Sequence, residues 1–288
     1  MTHPRLKDFA AFILTHGRPD RVYTYETLKR CGYTGPIFLV IDDLDGAREQ
    51  YVKQFGQQVV VFSKQDMDKN LDIGDNFKEL RGVTYARNAV FDIAKKLGFK
   101  FFIALDDDYT SFAYRFDKVY NYCHKPMHNL DDVLGSMLQF YIVSGATSLA
   151  MAQGGDFIGG KEGSPWANAV QLTRKCMNSF ICSTDRPFKF VGRINEDVST
   201  YVLLGSVGLL FFSLMQIGLN QHTTQENQGG LTEIYLDLGT YVKSFYTVMY
   251  HPSSVKIRCL FTANRRIHHR ICWNNTAPKI VSETYKRQ

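Results

Sequence analysis

Residues 99–112 read Phe-Lys-Phe-Phe-Ile-Ala-Leu-Asp-Asp-Asp-Tyr-Thr-Ser-Phe, so that a short apolar run ends in three consecutive carboxylates. The apolar run predicts a buried strand. Three adjacent anions repel one another at close range, so the end of this strand needs an interaction that compensates this repulsion. Because side chains alternate along a strand, we expect Asp106 and Asp108 to point the same way. Two such carboxylates suit a hard divalent cation, with phosphate oxygens completing its coordination. The alternative is a solvated acidic turn.

The chain before this stretch alternates between strand-like and helix-like segments. We predict strands at 9–15, 36–43 and 58–62, helices at 19–31, 45–55 and 84–97, and a loop at 63–82. Alternation of this kind is typical of a mostly parallel sheet wound with helices, which places the chain in the α/β class. The length of 288 residues suits one large domain or two small ones, and no linker divides the chain.

Polar groups follow three successive predicted strands. They are Thr15-His16-Gly17-Arg18, Asp42-Asp43 and the acids at 106–108. Ligands of parallel sheets bind at the carboxyl ends of the strands, so the sequence predicts a ligand site where these groups converge.

A second acidic pair, Glu196-Asp197, precedes a helix-like apolar stretch. Acids at this position can simply stabilise the helix dipole. They can also provide a general base, which must lie within hydrogen-bond reach of the hydroxyl that it deprotonates. The spacing leaves both interpretations open.

The charge distribution, the cysteines and the apolar runs indicate which partners and which compartment to expect. The formal net charge is +6, and eight of the nine charged residues after position 250 are basic. We expect this segment, with Arg265 and Arg266, to contact phosphate. The six cysteines form no CxxC pair, which argues against a structural zinc site. A chain this long with so few cysteines also argues against a disulfide framework, so we expect reduced thiols in a cytoplasm. The apolar run 203–219 is short for a membrane helix, and we interpret it as a helix end followed by a core strand.

Six separated segments resemble the TET-associated glycosyltransferases, a GT-A superfamily family found largely in bacteriophage genomes. The segments are THGRPDRVYTYETLKRCGYTGPIFLVIDD (15–43), AQGGDFIGG (152–160), RKCMNSF (174–180), FVGRINEDVSTY (190–201), QHTTQENQGGLTEIY (221–235) and RIHHRICWNNTAPKI (266–280). The resemblance implies a single GT-A-type domain, with residues 1–110 binding the nucleotide sugar and 111–288 binding the acceptor. It also implies cytoplasmic enzymes, in the host cell if phage-encoded.

The resemblance further implies the reaction. A sugar passes from a UDP-sugar, with UDP-glucose the expected donor, to the hydroxyl of 5-hydroxymethylcytosine or a related base in DNA. Mn²⁺ or Mg²⁺ is the expected cofactor. Single displacement with inversion is expected, although retaining members of the superfamily also carry acids in this region. A protein Ser or Thr acceptor, and a nucleotide-sugar-binding module without turnover, are the alternatives.

The residues carried over from the resemblance fall into three groups. Asp197 is the expected catalytic base, with Glu196 as its alternative. The expected donor-binding residues are Thr15, Arg18, Asp42, Arg87, Asp106, Gly154 and Gly155. The expected metal ligands are Asp106, Asp108 and a late histidine; of His222, His251, His268 and His269, the pair His268 and His269 is favoured.

Overall fold

The computed structural model describes residues 6–153, 170–176, 178–222, 239, 241–260 and 266–279. In these residues the strands are β1 (Phe9–Leu14), β2 (Ile37–Asp42), β3 (Val59–Phe62), β4 (Phe101–Asp106), β5 (Tyr109–Phe116), β6 (Tyr122–Pro126), β7 (Ser148–Gln153), β8 (Val170–Gln171), β9 (Ser179–Ser183), β10 (Phe211–Gln221), β11 (Val255–Leu260) and β12 (Arg266–Ile271).

The helices of the same residues are α1 (Tyr23–Arg30), α2 (Arg48–Phe55), α3 (Lys64–Asp68), α4 (Thr84–Lys96), α5 (Leu130–Ser144), α6 (Glu196–Ser206), α7 (Val242–Tyr250) and α8 (Trp273–Thr276). A 3-10 turn at Pro19–Arg21 precedes α1. Helix α5 ends where Gly145 adopts a left-handed conformation with φ of 68°, which a glycine reaches without the steric penalty of a Cβ.

One large sheet organises the described chain. Its strand order is β3-β2-β1-β4-β9-β7-β10-β5-β6, and β8 pairs with β10. The first four strands in this order run parallel to one another. Beyond β4 the sheet becomes mixed, because β9 runs antiparallel to β4 and β5 runs antiparallel to β10. The predicted α/β class is confirmed.

Both faces of the sheet are buried. Along β1, Phe9, Ala11 and Ile13 belong to one apolar cluster, whereas Ala10, Phe12 and Leu14 belong to the other. Helices α1 and α5 cover the first face, and α4 and α6 cover the second. A parallel strand covered on both faces needs an unbroken apolar run rather than alternation, which explains why β1 and β4 are apolar throughout.

The predicted loop at 63–82 is wrong in part. Residues 64–68 form helix α3, and the Ser63 hydroxyl accepts a hydrogen bond from the backbone N–H of Asp66. This single turn is too short for a periodic apolar pattern. The serine at its N-cap was therefore the only sequence signal for a helix. The apolar run 203–219 is confirmed as the end of α6 followed by β10. No helix in the described part of the chain combines the length and apolar character that a membrane crossing requires.

Strands β11 and β12 form a separate antiparallel ribbon. Helix α7 packs against both strands. Val255 is buried in the core cluster that contains α6, and Ile271 and Trp273 pack against that cluster. The ring of Trp273 also stacks on Tyr201 of α6, with the ring centroids 5.8 Å apart. The ribbon is therefore fixed to the helix that begins with Glu196 and Asp197.

Candidate active site

The carboxyl ends of β1, β2 and β4 meet at one edge of the sheet. Leu14 at the end of β1 is in register with Val40 of β2 and with Asp106 of β4. Thr15 and Asp42 therefore lie at the same edge as the three acids, as the sequence predicted. Strand β4 ends at Asp106, and Asp107 and Asp108 form the turn into β5.

The middle acid, Asp107, has its own cation. Its side chain is 1% exposed and accepts hydrogen bonds from Arg18 Nε at 2.7 Å and Arg18 Nη2 at 2.8 Å. The hydroxyl of Thr15 donates to the same carboxylate at 2.6 Å. Bidentate pairing with arginine is a strong and geometrically specific contact for a carboxylate. The structure thus places Thr15 and Arg18, both expected to contact the donor, on a buried aspartate that sequence reasoning did not single out.

Asp106 is held by Arg87, which also holds Glu196. Arg87 Nη2 donates to Asp106 Oδ1 at 3.0 Å, and Arg87 Nε donates to Glu196 Oε1 at 2.7 Å. The guanidinium is buried and lies over the rings of Phe180 and Phe190, at 5.1 and 5.8 Å from their centroids. Arg87 therefore joins the two acidic motifs into one site.

Asp108 differs from its two neighbours. Its Oδ1 is buried and has no hydrogen-bond partner among the described residues. Burial, together with the charges of Asp106 and Asp107, raises the pKa of Asp108 to about 7. The backbone around it is anchored, because the N–H of His222 donates to the Asp108 carbonyl at 3.1 Å. An unpaired, partly buried carboxylate beside Asp106 fits the donor set of a hard divalent cation.

The pair Glu196 and Asp197 lies at the first turn of α6. Asn195 before it has a left-handed backbone with φ of 61°. Burial raises the pKa of both carboxyls, although the charge of Arg87 favours their ionised forms. Glu196 is engaged by Arg87, whereas Asp197 accepts a hydrogen bond at Oδ1 from the N–H of Val198 at 2.7 Å. The second oxygen of Asp197 receives no hydrogen bond from the described residues.

Asp42 lies in a further cluster at the ends of β1 and β2. It accepts hydrogen bonds from His16 Nδ1 at 2.8 Å and Lys64 Nζ at 3.1 Å. Burial would favour the neutral acid, but the His16 hydrogen bond and the Lys64 charge lower the pKa of Asp42. The same hydrogen bond raises the pKa of His16 despite its partial burial. Helix α3 supplies Lys64, so this contact depends on the segment that was predicted as a loop.

The histidines expected as metal ligands are placed differently from one another. His269 is 6% exposed, its Nε2 has no described partner, and its Nδ1 lies 3.5 Å from Asn195 Nδ2. Burial lowers the pKa of His269 to about 2, so the ring is neutral. The ring of His268 lies 4.3 Å from that of His269. His222, by contrast, follows β10 and contacts Asp108 through its backbone. Within the described ranges, no three His, Cys, Asp or Glu side chains gather as a metal-binding group.

Some predicted residues fall outside the described part of the chain. Gly154 and Gly155, expected to contact the donor, lie in 154–169, and Arg265 lies in 261–265. The roles expected for these residues stay predictions.

The chain belongs to the TET-associated glycosyltransferase family. The model of that family matches residues 9–230, which is more than half of the chain and includes both acidic motifs. The protein is therefore a glycosyltransferase. A comparison with curated protein sequences finds no match.

Several solved structures resemble the chain weakly. Glucosyl-3-phosphoglycerate synthase from Mycobacterium tuberculosis, in complex with Mn²⁺, UDP-glucose and phosphoglyceric acid, is 11% identical; the match covers 96% of this chain and 87% of that chain, with a TM-score of 0.45. The same enzyme with Mn²⁺, UDP and phosphoglyceric acid gives 10% identity, coverage of 91% and 86%, and a TM-score of 0.43. Mannose-1-phosphate geranyltransferase from Thermus thermophilus is 13% identical; the match covers 51% of this chain and 41% of that chain, with a TM-score of 0.27. Similarity at this level identifies no substrate for this chain.

Proposed function

We propose that this glycosyltransferase moves a sugar from a UDP-sugar to the hydroxyl of 5-hydroxymethylcytosine, or of a related modified base, in DNA. The observation that carries the proposal is the double contact of Arg87 with Asp106 and Glu196. It joins an acidic strand end suited to a metal-bound diphosphate with an acidic pair suited to base catalysis. The DNA acceptor and the cytoplasm as the place of action follow from the resemblance to the family.

The donor lies, in this proposal, at the ends of β1, β2 and β4, within the half formed by residues 1–110. Asp42 and the glycines Gly154 and Gly155 are assigned to the donor on the sequence pattern. Arg87 Nη1 is buried without a hydrogen-bond partner among the described residues, so it has a free donor for the diphosphate or the sugar. Arg18 and Thr15 act on the donor site indirectly, because they hold Asp107 in the turn between the two proposed metal ligands.

Asp106 and Asp108 would hold Mn²⁺ or Mg²⁺. A divalent cation bound there would neutralise negative charge on the diphosphate leaving group. For the histidine ligand, His222 has the contact with Asp108 that His268 and His269 lack in the described structure. His268 and His269 instead lie beside Asn195, next to the acidic pair.

Asp197 is the proposed general base. It takes the proton from the acceptor hydroxyl, and that oxygen attacks the anomeric carbon while the bond to UDP breaks. Attack opposite the leaving group inverts the anomeric centre, so an α-linked donor gives a β-linked product. The raised pKa of Asp197 makes its carboxylate a stronger base than an exposed aspartate. Glu196 is the less suitable base, because its carboxylate is already bound by Arg87.

Mass spectrometry of digested nucleosides tests the proposal. DNA containing 5-hydroxymethylcytosine is incubated with the protein, Mn²⁺ and a set of UDP-sugars. We expect the modified nucleoside to gain the mass of one hexose. The gain should be lost in Asp108→Ala and Asp197→Ala and retained in Asp92→Ala, which removes an exposed carboxylate from α4. No gain with any donor, despite metal-dependent UDP binding, would redirect the search to a protein Ser or Thr acceptor or another base.

A further inference from the structure

The ribbon formed by β11 and β12 has one cationic face. In its register Lys256 lies opposite Arg270, and Arg258 lies opposite His268. Directly opposite residues of an antiparallel pair share a face, as do residues two positions apart on one strand. All four side chains therefore lie on the same face. Lys256, Arg258 and Arg270 are exposed, and His268 is half-buried.

The three exposed cations of this face, Lys256, Arg258 and Arg270, have no ion-pair partner among the described residues. Like charges directly opposite each other destabilise an antiparallel pair, so the apposition of Lys256 and Arg270 costs stability in the isolated protein. A polyanion lying over the face would remove this repulsion.

The opposite face of the ribbon fixes its orientation. Val255 and Ile271 lie opposite each other and contact the core cluster that includes α6. His269, on the same face as these two residues, lies 3.5 Å from Asn195, which directly precedes the acidic pair. Val255, His269 and Ile271 therefore anchor one end of this face inward, beside the proposed catalytic base, whereas Ile257 and Ile267 farther along the same face are exposed. The cationic face points outward on this anchored element.

We propose that this cationic face docks the phosphate backbone of duplex DNA. The proposal rests on the proposed function, which makes DNA the acceptor. A two-stranded ribbon is narrow enough to enter the major groove, and lysine and arginine contacts to phosphate fix the position of a protein on DNA without reading its sequence. The ribbon follows residues 9–230, the part that the family model matches. Its register narrows the sequence-based expectation of phosphate contact after position 250 to one face with Lys256, Arg258 and Arg270.

The experiment is a salt titration of duplex binding by fluorescence anisotropy, with a short unmodified duplex and the full chain. The variant combines Lys256→Gln, Arg258→Gln and Arg270→Gln. Removing one phosphate-binding cation lowers the slope of log affinity against log salt by about 0.9, so we expect a fall of roughly 2.7 if each side chain binds one phosphate. The matched control combines Lys53→Gln, Lys95→Gln and Lys96→Gln, which removes the same charge from exposed helix positions and should leave the slope nearly unchanged.

An unchanged slope in the ribbon variant would overturn the proposal. Equal decreases in both triple variants would also overturn it, because they would reflect net charge alone. Ribbon-dependent binding to anionic vesicles or single-stranded DNA, but not to the duplex, would overturn duplex docking. These measurements need no donor and no modified base. Ribbon-dependent duplex binding therefore supports the docking surface even if no sugar is transferred to 5-hydroxymethylcytosine, a result that would count against the proposed function alone.

Discussion

Replacing Asp108 by asparagine is expected to stabilise the metal-free protein near pH 8 and to abolish its stabilisation by divalent cations. The Oδ1 of Asp108 is buried without a described hydrogen-bond partner. Burial and the adjacent charges of Asp106 and Asp107 raise the pKa of Asp108 to about 7. The ionised carboxylate is therefore unfavourable in the folded protein unless a cation accompanies it. Asparagine keeps nearly the same shape and carries no charge.

The size and sign of the stability change expected for Asp108→Asn follow from the linkage between proton binding and folding. The pKa of Asp108 rises from 3.8 to about 7 on folding, so between these values the folded state binds more protons than the unfolded state. Stability of the wild type therefore falls as pH rises through this window, and the decrease is complete above about pH 7. A shift of roughly three pKa units corresponds to at most about 4 kcal/mol. Partial access to solvent reduces the expected gain of Asp108→Asn to about 2 kcal/mol.

Thermal unfolding in EDTA and in Mn²⁺, between about pH 5 and pH 8, measures these effects. In EDTA the melting temperature of Asp108→Asn should exceed that of the wild type by roughly 4 °C at pH 8. The difference should shrink toward pH 5. Mn²⁺ should raise the melting temperature of the wild type alone.

Asp107→Asn is the matched control, because it makes the same chemical change one residue away. It removes the anion that Arg18 and Thr15 contact, so it should destabilise the protein by about 3 kcal/mol in both buffers. A lower melting temperature for Asp108→Asn in EDTA at pH 8 would refute the reasoning. So would an equal Mn²⁺ response of this variant and the wild type.

Three further predictions test the site and its support. Arg87→Lys keeps the charge but lacks the planar fork whose separate nitrogens contact Asp106 and Glu196, so the transfer rate should fall at least about 100-fold. Arg87→Ala should also lower the free energy of unfolding by about 3–5 kcal/mol in denaturant titrations. Asp197→Asn should lower the rate by about 10²–10⁴-fold while UDP affinity, measured by calorimetry, stays unchanged. A Cβ at Gly205 would lie 2.5 Å from the carbonyl oxygen of Thr276, so Gly205→Ala should cost about 1–3 kcal/mol. Gly46→Ala is its control and should be nearly neutral, because a Cβ there meets nothing within 4 Å.

The first half of the fold could be predicted because its signals are local. Strands β1, β2 and β4 are buried on both faces, and each therefore appears in the sequence as a continuous apolar run. The polar residues that follow these runs meet at one edge of the sheet, as the parallel pairing requires. Helix α3 was not predicted, because a single helical turn has no periodic apolar face.

The pairing of the charged groups could not be predicted in the same way. Arg87 and Glu196 are 109 positions apart, and Arg18 and Asp107 are 89 apart. No local pattern specifies which arginine reaches which carboxylate over such separations. The alternation of side chains that paired Asp106 with Asp108 passed over Asp107, and it does not extend through this turn, because β4 ends at Asp106. A signal was nevertheless present: one of three adjacent acids directly after a buried strand has little access to water and needs a cation from elsewhere in the chain.

Two of the three acids after β4 are compensated by a fixed arginine and the third is not, and this difference indicates where the proposed chemistry lies. Asp107 has a permanent cation in Arg18, and Asp106 has one in Arg87. A third fixed arginine at Asp108 would have made the turn more stable, but it would have filled the position that a dissociable cation needs. Proteins concentrate such uncompensated groups at functional sites, where local stability is lower than the fold would permit. The unpaired charge of Asp108 is therefore consistent with the proposed site, where Asp106 and Asp108 would hold a divalent cation that neutralises the charge of the diphosphate leaving group.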